Sequence, residues 1–288
     1  MLENFAALPL SVLSGLGGIL GLLIGSFLNV VVFRYPVMMF HQWTVQSRDW
    51  LKLNIEESGE PPTLSKPASH CGHCKTPIKA WQNIPLISWL ALGGKCASCK
   101  TEISVRYPLV ELLTGVLSAV VVYKFGWSLQ SVFGLLLTWV LVTVSFVDFD
   151  HKILPDDFIF PTLWLGLALS VIPVFASPTE AIIGAITGYL TFWLVFQAFL
   201  LLTGKEGMGH GDFKLMSLLG AWFGWLYLPQ IVMISTILGS IVGVGLIIAK
   251  KADGKMAIPF GPYIAIAGWI AMLWGDEINR SYLRLSGI

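Results

Sequence analysis

Two kinds of chemistry-bearing residue stand out in an otherwise apolar chain: a few carboxylates beside long apolar runs, and four cysteines in two pairs. A carboxylate in or beside a membrane span costs free energy to keep, so each is a candidate for function. Asp148, Asp150, Asp156 and Asp157 crowd into one segment, 147–157. Asp212 follows Gly207-Met-Gly-His-Gly211 and opens another apolar run, and Glu111 lies near the start of a third. Two carboxylates within hydrogen-bond reach share a proton, because both cannot ionise easily. One then acts as base toward a water and the other as acid toward a scissile carbonyl, which is peptide hydrolysis without metal or nucleophilic serine. The glycines ahead of Asp212 leave room for an extended backbone to approach the acid.

Each carboxylate also has a plainer employment. Asp212 precedes an apolar helix and suits an N-cap, and Asp156 or Asp157 suits one after Pro155. Asp150 lies about 200° around a helix from Asp148, so only one of them faces a given partner. Spacing alone does not choose between them.

The cysteines are Cys71-Gly-His-Cys74 and Cys96-Ala-Ser-Cys99, and the chain has no others. Two Cys-x-x-Cys knuckles separated by 21 residues offer four thiolates to one tetrahedral Zn²⁺. In a reducing compartment structural disulfides are disfavoured, and a polar loop with little apolar mass gains from a metal the stability it lacks. The reading is a structural zinc site on Cys71, Cys74, Cys96 and Cys99. Redox-active thiols, or His70 or His73 in place of one cysteine, are the alternatives.

These residues need elements to hold them. With 55% hydrophobic and 12% charged residues among 288, the composition fits a polytopic membrane protein rather than a water-soluble domain. A net charge of +1 gives no basic field for nucleic acid, which is excluded as a partner. Apolar runs near the roughly 20 residues that a spanning helix needs fall at about 10–33, 107–123, 129–147, 158–175, 181–202, 213–228, 230–249 and 259–275. The expected fold is therefore an all-α polytopic membrane protein of about eight spans, the sixth weakest because Gly220, Gly224 and Pro229 interrupt or end it. The first run is too long and too poor in N-terminal positive charge for a cleaved signal peptide.

Of the 18 Lys and Arg, 15 fall between residues 34 and 106 or in alternate later loops, which include Lys250, Lys251 and Lys255. That asymmetry puts these loops in the cytoplasm and both termini outside. It also brings Asp148 and Asp212 to one cytoplasmic face. The division expected is a first transmembrane helix over 1–33, a cytoplasmic zinc-binding loop over 34–106 and a transmembrane core over 107–288. The loop begins with an acidic, Pro-containing stretch, Glu56, Glu57, Glu60, Pro61 and Pro62, that reads as linker. Gly17/Gly21/Gly25, Gly184/Gly188 and Gly239/Gly243 recur at four-residue spacing, as close helix packing requires.

The motifs in this order resemble the type IV prepilin peptidases, intramembrane aspartic proteases that also N-methylate. They are Gly25-Ser-Phe-Leu-Asn-Val-Val-Val-Phe-Arg34, the two knuckles around Trp81-Gln-Asn-Ile-Pro85, and Arg106-Tyr-Pro-Leu-Val-Glu111. Asp148 with Leu154-Pro-Asp156, Gly204-Lys-Glu-Gly-Met-Gly-His-Gly-Asp-Phe-Lys214 and Pro259-Phe-Gly-Pro262 complete the set. The resemblance covers nearly the whole chain and implies that Asp148 and Asp212 are the protease pair. It implies cleavage of prepilin and pseudopilin precursors after a glycine at the cytoplasmic face of the bacterial inner membrane, then methylation of the new N-terminus from S-adenosylmethionine. Gly25, Asn29, Arg34 and Glu111 are the candidates for methyl transfer, with ion pairing and snorkelling as the plain reading of Arg34 and Glu111. The lipid bilayer is the expected surroundings, and homo-oligomerisation is left open. Two rivals remain at this level: a transporter or channel whose membrane-edge acids bind a proton or cation, and an assembly scaffold that would tolerate loss of both aspartates.

Overall fold

The structure, a computed structural model, describes residues 8–52, 61–249 and 258–285. Glu56, Glu57, Glu60, Lys250, Lys251 and Lys255 lie outside the described residues. Helices dominate, with no strands among the described residues beyond two isolated bridges. They are α1 (Leu10–Leu51), α2 (Ile87–Ala91), α3 (Arg106–Phe125), α4 (Leu129–His151), α5 (Asp156–Ser170), α6 (Pro178–Thr203), α7 (His210–Phe223), α8 (Leu228–Ile248) and α9 (Gly261–Leu285). Short 3₁₀ turns occupy Ala80–Asn83 and Trp225–Tyr227.

All eight expected apolar runs fall on helices, and five of those helices are long and apolar enough to cross a membrane: α1, α3, α4, α6, and α8 with its preceding turn. The other three differ in ways that length and charge explain. Helices α5 and α7 have 15 and 14 residues, so at about 1.5 Å per residue each falls short of the roughly 30 Å hydrocarbon layer. Helix α9 is 25 residues long but carries Asp276, Glu277, Arg280 and Arg284 in its C-terminal half. Helix α1 continues past residue 33 to Leu51, with Pro36 inside it.

The chain divides into two compact units, Met1–Trp127 and Ser128–Ile288. In the first, α1 and α3 pack along their length. Gly17, Gly21 and Gly25 are buried there, facing Val122, Ser118, Thr114 and the backbone of Glu111. Ser14 Oγ donates to the Ala119 carbonyl at 2.9 Å, adding a polar tie within the apolar seam.

In the second unit α7 is the centre, with every residue from Asp212 to Phe223 buried except Lys214. A helix apolar on all sides needs protein on all sides, and α5, α6 and α9 supply it. Close approach to α6 needs glycine at one crossing, where a Cβ on Gly184 would run into the Gly220 carbonyl and a Cβ on Gly220 into the Gly184 carbonyl. Polar ties fix the rest: Ser217 Oγ donates to the Ala185 carbonyl at 2.8 Å, and Trp222 Nε1 donates to the Thr162 carbonyl of α5 at 2.8 Å. Helix α9 is held to α4 by Trp269 Nε1, which donates to Thr138 Oγ1 at 3.1 Å.

Candidate active site

Asp148 lies in the last turn of α4, where Lys152 adopts a left-handed cap and its N–H donates to the Asp148 carbonyl. The helix therefore does extend through both Asp148 and Asp150, and the two point apart as their spacing requires. Asp148 is 5% exposed, whereas Asp150 and Phe149 are on the surface. Burial separates the two acids that spacing left equivalent.

Asp212 is 6% exposed and is the third residue of α7. The N-cap is Gly209, so the expectation that Asp212 itself caps the helix shifts by one turn. The carboxylate instead reaches back toward the Gly209 backbone, as a third helical residue can. Phe213 next to it is fully buried against Tyr189 and Phe196 of α6, with ring centroids 5.9 and 5.5 Å away. This packing fixes the rotation of α7 and hence the direction of Asp212. The two carboxylates are near enough to interact electrostatically.

Three segments that follow or precede helices hold the pair. The Gly261 N–H, at the start of α9, donates to Asp148 Oδ2 at 3.0 Å. A Cβ on Gly261 would lie 2.6 Å from that oxygen and 3.0 Å from Leu154, and one on Gly211 would lie 2.7 Å from Leu154. Leu154 is thus wedged between the glycines that introduce α7 and α9, and it sits six residues after Asp148. Asp156, the first residue of α5, is half-exposed and receives Lys214 Nζ on both carboxylate oxygens, at 2.8 and 2.9 Å. Lys214 also lies over the Phe160 ring, 5.3 Å from its centroid. Gly261, Leu154 and Lys214 were all within the motifs read from the sequence, but only the fold reveals what each touches.

The four cysteines form a separate centre in the first unit. Their Sγ atoms all lie within 4.8 Å of one another, with Cys71 and Cys99 at 3.7 Å and Cys74 and Cys96 at 4.0 Å. Four thiolates about 2.3 Å from a tetrahedral Zn²⁺ stand about 3.8 Å apart, so the set fits that ion, whereas a disulfide needs about 2.05 Å. The two knuckles repeat one geometry. Cys71 N–H donates to the Thr76 carbonyl and Cys96 N–H to the Thr101 carbonyl, at 3.0 and 2.8 Å. Lys75 and Lys100 then turn through φ of 59° and 61°. The Thr76 and Thr101 hydroxyls, followed by the backbone of the same residues, hold the thiols of Cys74 and Cys99 below the usual range, Cys99 at about 5. Neither histidine belongs to the cluster, and His70 Nδ1 bonds the Ala68 carbonyl at 2.9 Å.

The methyl-transfer candidates fall near the junction of α1 and α3. Gly25 is accounted for by packing, since a Cβ there would lie 2.9 Å from the Glu111 Cα. Asn29 Nδ2 donates to the Tyr107 carbonyl at 3.1 Å, and Arg34 Nη1 donates to the Thr63 carbonyl at 2.9 Å. Glu111 is 9% exposed, and its Oε2 accepts the Leu86 N–H at 2.9 Å. The Arg34 and Glu111 side chains therefore anchor the loop between the helices, rather than pairing with each other.

Comparison with known proteins follows the same division. Residues 19–125 match the bacterial peptidase A24 N-terminal domain, and residues 135–244 match the type IV leader peptidase family. A prepilin leader peptidase/N-methyltransferase of Stutzerimonas stutzeri is 52% identical over 268 residues, covering 93% of each chain. Its counterpart in Pseudomonas aeruginosa is 52% identical over 269 residues, again covering 93% of each. That of Pseudomonas putida is 48% identical over 286 residues and 99% of each. No solved structure gives a significant match. With the acids and cysteines arranged as described and relatives matched nearly end to end, the chain belongs to the type IV leader peptidase family of membrane aspartic proteases.

Proposed function

We propose that this protein cleaves the basic leader from type IV prepilins and type II secretion pseudopilins after a glycine, and then N-methylates the exposed amine. The reading is carried by one observation: two buried acids, Asp148 and Asp212, interact at the ends of α4 and α7, in a chain about half identical to prepilin leader peptidase/N-methyltransferases. In cleavage, the ionised carboxylate of the pair takes a proton from water as the water oxygen bonds to the scissile carbonyl carbon. The protonated carboxylate gives its proton to the carbonyl oxygen. The tetrahedral intermediate then collapses: the first carboxylate passes the water proton to the leaving nitrogen as the C–N bond breaks, and a hydroxyl proton of the intermediate returns to the second carboxylate. The Gly261 N–H orients Asp148, and the Leu154 wedge keeps the approach between α7 and α9 in register.

The work divides along the chain, with the first transmembrane segment at 1–33, the metal loop at 34–106 and the peptidase core at 107–288. Cys71, Cys74, Cys96 and Cys99 hold a structural Zn²⁺ that closes the loop, and four sulfurs leave it no open position for catalysis. Asn29, Arg34 and Glu111, with Gly25 setting the helix spacing, serve methyl transfer. S-adenosylmethionine held there would supply an electrophilic methyl group for the deprotonated N-terminal amine. The active site faces the cytoplasm from the inner membrane, so the substrate keeps its hydrophobic helix in the bilayer while its leader is removed.

The test is mass spectrometry of a purified prepilin incubated with the protein in lipid, with and without S-adenosylmethionine. The expected products are a leaderless pilin without the donor and one bearing a single added methyl group on the N-terminal amine with it. An intact leader under both conditions would refute the assignment.

A further inference from the structure

Trp81-Gln-Asn-Ile-Pro85, between the two knuckles, is used neither by the acid pair nor by the thiol cluster. The segment that contains it, residues 80–92, is a 3₁₀ turn followed by α2, and its side chains divide into two sets. One set is turned into the loop: Pro85 is buried, Ser88 and Leu92 are half-buried, and Trp89 Nε1 donates to the Ile103 carbonyl at 3.2 Å. The other set points outward and is apolar. Trp81, Ile84, Ile87 and Leu90 are 50, 44, 64 and 69% exposed. Four large apolar side chains presented within ten residues mark a surface that meets something other than water.

One hydrogen bond fixes the height of this segment. The Leu86 N–H, between Ile84 and Ile87, donates to Glu111 Oε2 at 2.9 Å. Glu111 lies about 7.5 Å along α3 from Arg106, and α3 is one of the helices long and apolar enough to cross a membrane. At that level α3 already turns Tyr107, Leu109 and Leu112 outward. The surrounding loop is basic: residues 61–106 hold Lys66, Lys75, Lys79, Lys95, Lys100 and Arg106 against a single acid, Glu102. Cations prevail even after the two negative charges left when four thiolates bind Zn²⁺. Lys79 and Lys95 bracket the apolar segment and are exposed, an arrangement in which lysines snorkel to headgroups while their apolar neighbours sink.

We propose that residues 80–92 dock in the interfacial layer of an anionic bilayer, with Trp81, Ile84, Ile87 and Leu90 entering the acyl boundary and the flanking lysines meeting lipid phosphates. The occupant is lipid rather than a second protein because the patch stands at the head of a spanning helix and its flanks are cationic. The inference depends on α3 crossing the bilayer and goes beyond the peptidase reading. Its consequence is that the loop is tethered by α1 and α3 at its ends and by the membrane along its middle, which keeps the knuckles at the membrane surface.

The experiment is nitroxide accessibility on the full chain in vesicles of phosphatidylcholine with one part in three phosphatidylglycerol. A ketone-bearing amino acid placed in turn at Ile87 and Leu90 carries the label, so the cysteines stay untouched. Leu112 of α3 gives the lipid reference, and Gln46, about 20 Å beyond the first apolar run on α1, gives the aqueous one. The ratio of oxygen to nickel-chelate accessibility at Ile87 and Leu90 is expected to match Leu112 within about twofold and to exceed Gln46 by about tenfold. A ratio equal to that at Gln46 would place the segment in water and overturn the proposal. Inaccessibility to both reagents would mean that protein covers the face, and would overturn it equally. Hydrogen exchange on the unsubstituted chain needs no variant. Amides within 84–91 are expected to exchange about threefold or more slowly in these vesicles than in phosphatidylcholine alone, and equal rates would refute the part played by anionic headgroups. Neither measurement requires the chain to process prepilin, so failure here leaves the functional reading untouched.

Discussion

Asp148 and Asp150 are chemically identical and two residues apart, yet only Asp148 is buried and bonded to Gly261. Nothing in their local sequence carries that difference, because it depends on where α9 returns to meet α4. The family motif pointed to Asp148, and in the fold Asp148 is the buried one of the two. Asp156 and Lys214 are the opposite case, a half-exposed ion pair beside the site. Because water screens such pairs, Lys214→Met is expected to change unfolding free energy by no more than about 1 kcal/mol. A larger loss by denaturant titration in micelles would mean that the pair holds α7 to α5 rather than decorating the contact. Gly261 has no such latitude, since a Cβ would press on Asp148 Oδ2. Gly261→Ala is expected to fold, with melting close to the parent protein, and to lose about tenfold or more in cleavage rate. A fully active Gly261→Ala would show that the placement of Asp148 tolerates displacement.

At the scale of elements, hydropathy located all eight apolar runs, because burial in lipid or protein selects the same side chains. It could not say which runs span: α7 is a short helix enclosed by its neighbours and reads as apolar for that reason, whereas α5, equally short, keeps Phe160 and Trp164 exposed. The glycine spacing was more informative. Gly184 and Gly188 face α7 backbone, and Gly17, Gly21 and Gly25 face α3, as their four-residue repeat predicts. Gly220, read from sequence only as an interruption, is the partner of Gly184. Gly220→Val would place a branched side chain against backbone that has nowhere to move, and overpacking of this kind costs about 1–3 kcal/mol or more. The expected result is a lower melting temperature together with lost cleavage, because α7 carries Asp212. Unchanged melting would contradict the tight crossing.

For the whole molecule, the chain forms two compact units, to each of which we propose one chemistry, and the boundary read from composition differs from the one read from contacts. Polarity marked residues 34–106 as the loop, whereas α1 carries on to Leu51 and packs with α3 in one unit. Continuity of a helix across a change in polarity is invisible to a hydropathy window. The clustering of the four cysteines was legible, since two Cys-x-x-Cys pairs at that spacing suit one metal ion. Metal analysis is expected to find about one zinc per chain, lost in the double variant Cys71→Ser/Cys74→Ser. Removal of the metal is expected to abolish S-adenosylmethionine binding and to leave prepilin cleavage substantially intact. Equal loss of both would mean that the loop supports the peptidase as well.

A prepilin-processing assay in lipid with single Asp→Asn changes tests the acid pair most directly. Asn is nearly isosteric and cannot exchange a proton as a carboxyl group does. Asp148→Asn and Asp212→Asn are each predicted to abolish cleavage, while Asp150→Asn and Asp156→Asn retain substantial activity. Turnover retained in either Asp148→Asn or Asp212→Asn would contradict the mechanism.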